Sequence, residues 1–194
     1  RETEILLRGW PWAAKTPEQR LRQLYPKLND REVAGFLMTL EKKGNSERAI
    51  SDLEREREVL DNALDSWRSS YTPVIEDNGE LIALPTDFVR EGGLYIEQQL
   101  RKCFKRENER PGARNPHPEH GYTLDLSAEL PLPNLESWWR DLRRRPGMQQ
   151  YFDRITGLNI TNVALSTTPD SLLASFPNLR QLSAQRCGFK EVPA

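Results

Sequence analysis

Cysteine is scarce in this chain of 194 residues: Cys103 and Cys187 are the only two, and they stand 84 positions apart. That excludes a disulfide framework, and neither sits in the paired spacing of a zinc site. Apolar residues are also thin, at 37% against about 45–50% in an average globular chain, so the core is expected to be thin or elongated. No run approaches the roughly 18 consecutive apolar residues of a membrane-spanning helix. An excess of one charge is missing too. With 28 basic and 29 acidic residues the net charge is -1, which argues against a protein whose affinity comes mainly from neutralising phosphates. No succession of basic, apolar and small residues opens the chain as a secretory signal does. The first residue is Arg1, and the chain reads as a piece of a longer protein, with one domain or two small ones.

Helix punctuation, by contrast, is plentiful. Thr16-Pro17-Glu18-Gln19 combines a hydroxyl cap, proline at the first helical position and Gln at the capping-box position, which predicts a helix ending near Tyr25-Pro26. Asn29-Asp30-Arg31-Glu32 repeats that logic, with Val33, Phe36, Leu37 and Leu40 at helical spacing before Gly44. A third helix, from Ser46 to about Ser69, carries Ile50, Leu53, Leu60, Leu64 and Trp67 on one stripe. Arg57 interrupts that stripe, so a helical hairpin is a better reading than a coiled coil. Asp77-Asn78-Gly79 between Val74-Ile75 and Leu81-Ile82-Ala83-Leu84 predicts a small β-hairpin. Thr86 or Asp87 caps a further helix to about Asn108, with Val89, Ile96, Leu100, Cys103 and Phe104 as its apolar side. Gly92-Gly93 reads as a turn or helix irregularity, and the aromatics of Trp10-Pro11-Trp12 are expected to pack on a neighbour. Glu107 to His120 is charged and broken by Pro111, Gly112, Pro116 and Pro118. Order is expected to lapse there, because so little apolar area does not offset chain entropy.

The last forty or so residues carry an internal period. In Leu179-Arg-Gln-Leu182-Ser-Ala184-Gln-Arg-Cys187-Gly-Phe189 the apolar residues follow the order of a leucine-rich repeat, with Cys187 where that pattern takes Asn or Cys. Ile155, Leu158, Ile160, Val163 and Leu165 precede Leu179, Leu182, Ala184, Cys187 and Phe189 by a constant 24. These ten are the expected repeat core. Alternate residues of a short strand point inward and the chain then turns across a ridge, so each repeat stacks on the next. Tyr122-Thr-Leu124-Asp-Leu126 reads as one more such strand, its leucines 34 residues before Leu158 and Ile160. The ten extra residues fall where Trp138, Trp139 and Leu142 indicate an inserted helix. The positions between the inward ones are the candidate partner contacts: Gly157, Asn159 and Thr161 in one strand, Gln181, Ser183 and Gln185 in the next. Their polarity suits a hydrogen-bonding protein surface better than an apolar ligand pocket.

Other constellations have plainer readings. His117-Pro-Glu-His120 lacks the helical register that would put both rings on one ion, so no metal site is expected. Cys103, near Lys102, Lys105 and Arg106, continues an apolar helical stripe and reads as a buried thiol rather than a nucleophile. The basic clusters at 101–106 and 140–145 could meet phosphates or anionic lipid, but read better as solvated helix faces. No catalytic residue and no cofactor site is identified.

Four stretches resemble a known family: Leu24-Tyr25-Pro-Lys-Leu-Asn-Asp; Ile50-Ser-Asp-Leu-Glu, continuing through Leu60-Asp-Asn-Ala-Leu-Asp-Ser-Trp67; Gly121-Tyr-Thr-Leu-Asp-Leu; and Phe176-Pro-Asn-Leu-Arg-Gln-Leu. They are similar to the central region of large bacterial toxin-like proteins, in which a dermonecrotic-toxin-like region leads through a helical segment into leucine-rich repeats. A novel-type ubiquitin ligase domain often follows in that family. The resemblance covers most of the chain from Leu21 onward. Its ligase chemistry uses a Cys-x-Asp motif, whereas this chain has Cys103-Phe104-Lys105 and Cys187-Gly188-Phe189, so no catalytic residue carries over.

The expected fold is therefore mainly α with a short β part: a helical segment over 1–108, a proline-rich charged loop over 109–120, and the capped start of a leucine-rich-repeat solenoid over 121–194. The expected function is non-catalytic recognition and scaffolding, with a protein partner, a host protein included, and no small-molecule cofactor. The resemblance implies secretion into a host or target cell. Two alternatives stand beside it: membership of a ubiquitin-transferring enzyme whose catalytic Cys domain lies outside this chain, and binding of an anionic surface through the arginine clusters, with nucleic acid and membrane both disfavoured as partners.

Overall fold

The two capping signals near the start produce the two helices they announce. In the computed structural model, which describes residues 14–70, 74–77, 80–83, 86–115, 120–127, 135–163 and 169–188, α1 spans Pro17–Leu24 and α2 spans Asp30–Lys42. The Thr16 hydroxyl accepts from the Gln19 amide at 3.2 Å and the Gln19 side chain accepts from the Thr16 amide at 3.0 Å. Asn29 and Glu32 form the same reciprocal pair ahead of α2. Both remove amide donors that a bare helix start leaves unpaired. Gly44, with φ of +125°, follows α2, a backbone region that a side chain would strain.

Helix α3, Ser46–Ser70, has 25 residues and so runs about 37 Å, long enough to serve two cores. Ile50 packs with Leu21, Leu24, Tyr25, Leu28, Val33, Phe36 and Leu40. Leu60, Leu64 and Trp67 belong to the second, larger cluster. Arg57, expected to interrupt the stripe, bridges the two instead. It donates to the Leu24 carbonyl at 3.1 Å and to the Phe104 carbonyl, the last residues of α1 and of α4, Thr86–Phe104. A guanidinium there satisfies carbonyls that a helix end leaves unpaired and faces the negative end of each dipole.

The antiparallel hairpin pairs β1, Val74–Asp77, with β2, Glu80–Ala83. Helix α4 then stops at Phe104 rather than near Asn108. The Arg106 amide returns to Cys103 and the Glu107 amide to Lys102, with Arg106 at φ +55°, the hydrogen-bond pattern that closes helices on a left-handed residue. Gly92 and Gly93 lie inside α4, so the turn reading is corrected: a Cβ at Gly92 would stand 1.8 Å from the Trp138 ring. The missing side chain lets that indole close against the helix.

The expected lapse of order is also overturned over the described residues 107–115. Arg106 pairs with Glu109 at 2.9 Å, and Arg114 pairs with Glu32 at 3.2 Å, all four side chains at most 6% exposed. Arg114 also donates to the carbonyls of Arg106 and Lys27. Composition counts the charges of this segment but not their pairing, and paired, hydrogen-bonded charges can be buried. Trp10-Pro11-Trp12 and His117 lie outside the described residues.

The second core is built on a parallel sheet, in the order β3 (Tyr122–Asp125), β4 (Ile155–Asn159), β5 (Gln181–Ser183). Helices α5, Leu135–Arg143, and α6, Met148–Phe152, occupy the β3–β4 connection; α7, Asp170–Ala174, occupies the β4–β5 connection. Trp139, Phe152 and Phe176 meet with centroids 5.0–5.8 Å apart, and the Trp139 indole donates to Ser175 at 2.8 Å. The observed architecture is thus mainly helical with a small three-stranded parallel sheet.

Candidate interaction surface

The strand register places the two sets of candidate contacts side by side. Gly157 pairs with Gln181, Leu158 with Leu182 and Asn159 with Ser183; on the other side Thr123, Leu124 and Asp125 pair with Gly157, Leu158 and Asn159. These are the offsets of 24 and 34. Backbone conformation recurs as well: Asn162 and Arg186, 24 apart, are both left-handed, at φ +63° and +57°. Side chains other than Gly reach that region only at a cost of roughly 1–2 kcal/mol. Finding it twice at one spacing marks the same turn after β4 and after β5.

The six candidate contacts are not equivalent. Gly157 is buried and offers only backbone, since a Cβ there would lie 2.9 Å from the Thr123 hydroxyl. Asn159 and Thr161 are half-buried, and the Asn159 Oδ1 already accepts from the Thr161 amide at 3.0 Å. Gln181, Ser183 and Gln185 are exposed. One pattern went unread in the sequence: Asp125 holds the Ser127 amide at 2.9 Å just as Asn159 holds that of Thr161, and Asp125 and Asn159 are register partners. An acid or amide followed two residues later by a hydroxyl, twice at an offset of 34, is the signal that marks this turn.

Of the expected repeat core, Ile155, Leu158, Ile160, Val163 and Cys187 are buried, while Leu179 and Ala184 are partly buried against the same cluster. Leu182 is 48% exposed; among the described residues β5 is the sheet edge, with a strand on one side only. Leu165 and Phe189 lie outside the described residues. The Cys187 thiol donates to the Ile160 carbonyl at 2.9 Å and thus ties one turn to the strand before it.

No nucleophile emerges from either thiol. Burial, then the nearby Glu109 charge, pushes the Cys103 thiol up, and burial pushes Cys187 up, the opposite of what a reactive thiolate needs. The arginines of the first basic cluster are spoken for: Arg101 meets Asp61, Asp65 and Glu97, and Arg106 meets Glu109. In the second, Arg140 lies 3.9 Å from Glu136 and Arg145 3.8 Å from Asp141. His120 contacts Glu109 at 3.1 Å. Among the described residues no group of three or more His, Cys, Asp and Glu could hold a metal ion, and no helix is long and apolar enough to cross a membrane.

In comparisons with known proteins, the chain matches no protein-family profile, no curated sequence and no solved structure.

Proposed function

We propose that the parallel-sheet half is the capped start of a leucine-rich-repeat solenoid, and that the chain is a non-catalytic recognition and scaffolding segment of a bacterial toxin-like effector. The observation that carries this reading is the register itself: Leu158 opposite Leu182 and Leu124 opposite Leu158, the stacking that a repeat of this kind requires. The recurrent left-handed turn at Asn162 and Arg186 supports it. The helical half acts as the cap. Tyr95 of α4 donates to the Ser127 carbonyl at 2.7 Å, and Asn108, just past the end of α4, donates to the Thr123 carbonyl at 3.1 Å, so the first strand is held by side chains of the helical half.

The partner is a protein, met by Gln181, Ser183 and Gln185 with Asn159 and Thr161 beside them. Amides and hydroxyls at these positions hydrogen-bond to backbone and polar side chains without charge pairing, so binding varies little with salt. The test is affinity capture from host-cell extract, with each retained protein identified and then titrated in purified form. The double variant Gln181→Ala/Gln185→Ala keeps the wild-type circular dichroism and thermal unfolding but binds the identified protein more weakly. Equal binding by wild type and double variant, or no specific binding by wild type, defeats the reading.

A further inference from the structure

A cleft lies at the seam between the two cores. This half-open cleft has a volume of about 280 Å³ and is walled by Phe36 and Leu40 of α2, Leu53 of α3, and the side chains of Tyr25 and Tyr122. Phe36, Leu40, Tyr25 and Tyr122 are each at most 7% exposed, so the wall is held rigidly by packing. Lys43, Asp52, Glu56 and Arg154 also line the opening.

Most of the nearby charge is already committed. Arg106 is bonded to Glu109 and to the His120 carbonyl, and stands over the Tyr122 ring at 4.1 Å. Arg154 holds Glu56 at 2.6 Å and lies 5.2 Å from the centre of the same ring. Two charges remain. Among the described residues Lys43 makes no ion pair, and Asp52 meets only Arg55, at 3.7 Å with both side chains more than half exposed. Lys43 and Asp52 line one cleft without pairing with each other.

One spare cation, one spare anion and an apolar wall call for a ligand that carries all three complements. Size narrows the choice: the volume lies just below the roughly 300–1,000 Å³ typical of ligand pockets, too little for a nucleotide and suited to one amino-acid-sized molecule. A peptide backbone carries no charge, and a simple anion or amine uses only one of the two. We infer that this cleft binds a free hydrophobic α-amino acid, its carboxylate at Lys43, its ammonium at Asp52 and its side chain against Phe36, Leu40 and Leu53. The site is separate from the sheet face, so the fate of the scaffold reading does not decide this one.

The experiment is a calorimetric titration of the intact chain with L-phenylalanine and with its two half-ligands, 3-phenylpropionate and 2-phenylethylamine. L-phenylalanine binds saturably at one site, and each half-ligand binds about tenfold more weakly or worse, having lost one charge-assisted hydrogen bond. Lys43→Gln removes the preference over 2-phenylethylamine and Asp52→Asn the preference over 3-phenylpropionate. Both side chains are exposed, so thermal unfolding is unchanged. Leu53→Trp, which fills the cleft, abolishes binding; should it fail to fold, the two charge variants decide alone. No saturable binding of L-phenylalanine, equal binding of either half-ligand, or binding undiminished in both charge variants overturns the assignment.

Discussion

Leu158 and Leu182 are register partners on neighbouring parallel strands, yet the first is 2% exposed and the second 48%. The side chains are the same and the spacing is regular. What differs is the number of neighbours: among the described residues β4 has a strand on each side, β5 on one. Pairing sets which residues align, while burial needs a cover from both directions.

The two leucines therefore differ in what truncation costs. Leu158→Ala removes buried methyl groups and leaves a cavity, an expected loss of about 2–5 kcal/mol. Leu182→Ala removes groups that already meet water, and the loss stays below about 1 kcal/mol. Urea unfolding at neutral pH reads both, and equal losses would contradict the edge position of β5.

The Glu32–Arg114 pair joins residues 82 apart in sequence, with side chains 4% and 5% exposed. Arg114→Met strands a buried carboxylate, and Glu32→Met strands a buried guanidinium. Each single change is expected to cost about 3–5 kcal/mol. The double change Glu32→Met/Arg114→Met costs less than the two single losses together, since no uncompensated charge is left. Strict additivity in a double-mutant cycle would show that the two side chains do not act as a pair.

Local signals were legible in the sequence because their causes are local. Thr16 with Gln19, and Asn29 with Glu32, act within one helical turn, so their residues suffice to place α1 and α2. The sheet register was legible for a different reason: residues in equivalent places on successive parallel strands recur at a constant offset, and Ile155, Leu158 and Ile160 stand 24 before Leu179, Leu182 and Ala184. The exposure of Leu182 was not legible, since it depends on what lies beyond β5. Nor was the end of α4, where Arg106 takes the left-handed position usually filled by Gly. The roles of Arg57 and Arg114 rest on partners 33 and 82 positions away, which no window of sequence contains. The apolar wall of the seam cleft escaped for the same reason, drawing Tyr25, Leu53 and Tyr122 together.

Alkali should destabilise the fold through two buried acids. Burial, reinforced by Glu109, raises the Cys103 thiol, and burial, reinforced by Tyr122, raises the Tyr25 phenol. In the unfolded chain these groups lose protons near about pH 8.5 and 10, while the folded chain still holds them. Below the lower value both states are protonated and the full contribution is present. Above it the folded state binds more protons, so stability falls as pH rises, by up to about 1.4 kcal/mol per pH unit for each group. Urea unfolding between about pH 7 and 10.5 checks the slope. Cys103→Ala lessens the slope of its first part and leaves the share of Cys187, whose thiol burial also raises, and a profile level to about pH 10.5 in the wild type would be incompatible with a protonated, buried Cys103.

Arg57 offers the sharpest test of how the two cores communicate. Its guanidinium reaches the ends of α1 and α4 from the middle of α3, so one side chain satisfies carbonyls on two helices that are far apart in sequence. Arg57→Met keeps much of the aliphatic stem but removes both charged donors, with an expected cost of about 1.5–3 kcal/mol for each charged hydrogen bond lost and less where water reaches the carbonyl. The effect on local opening is more telling than the total. Amide exchange should quicken in the last turns of α1 and α4 together, while the middle of α3, whose own backbone bonds are untouched, changes least. Faster exchange confined to α3 would mean that Arg57 serves its own helix and that the two ends are held by other contacts.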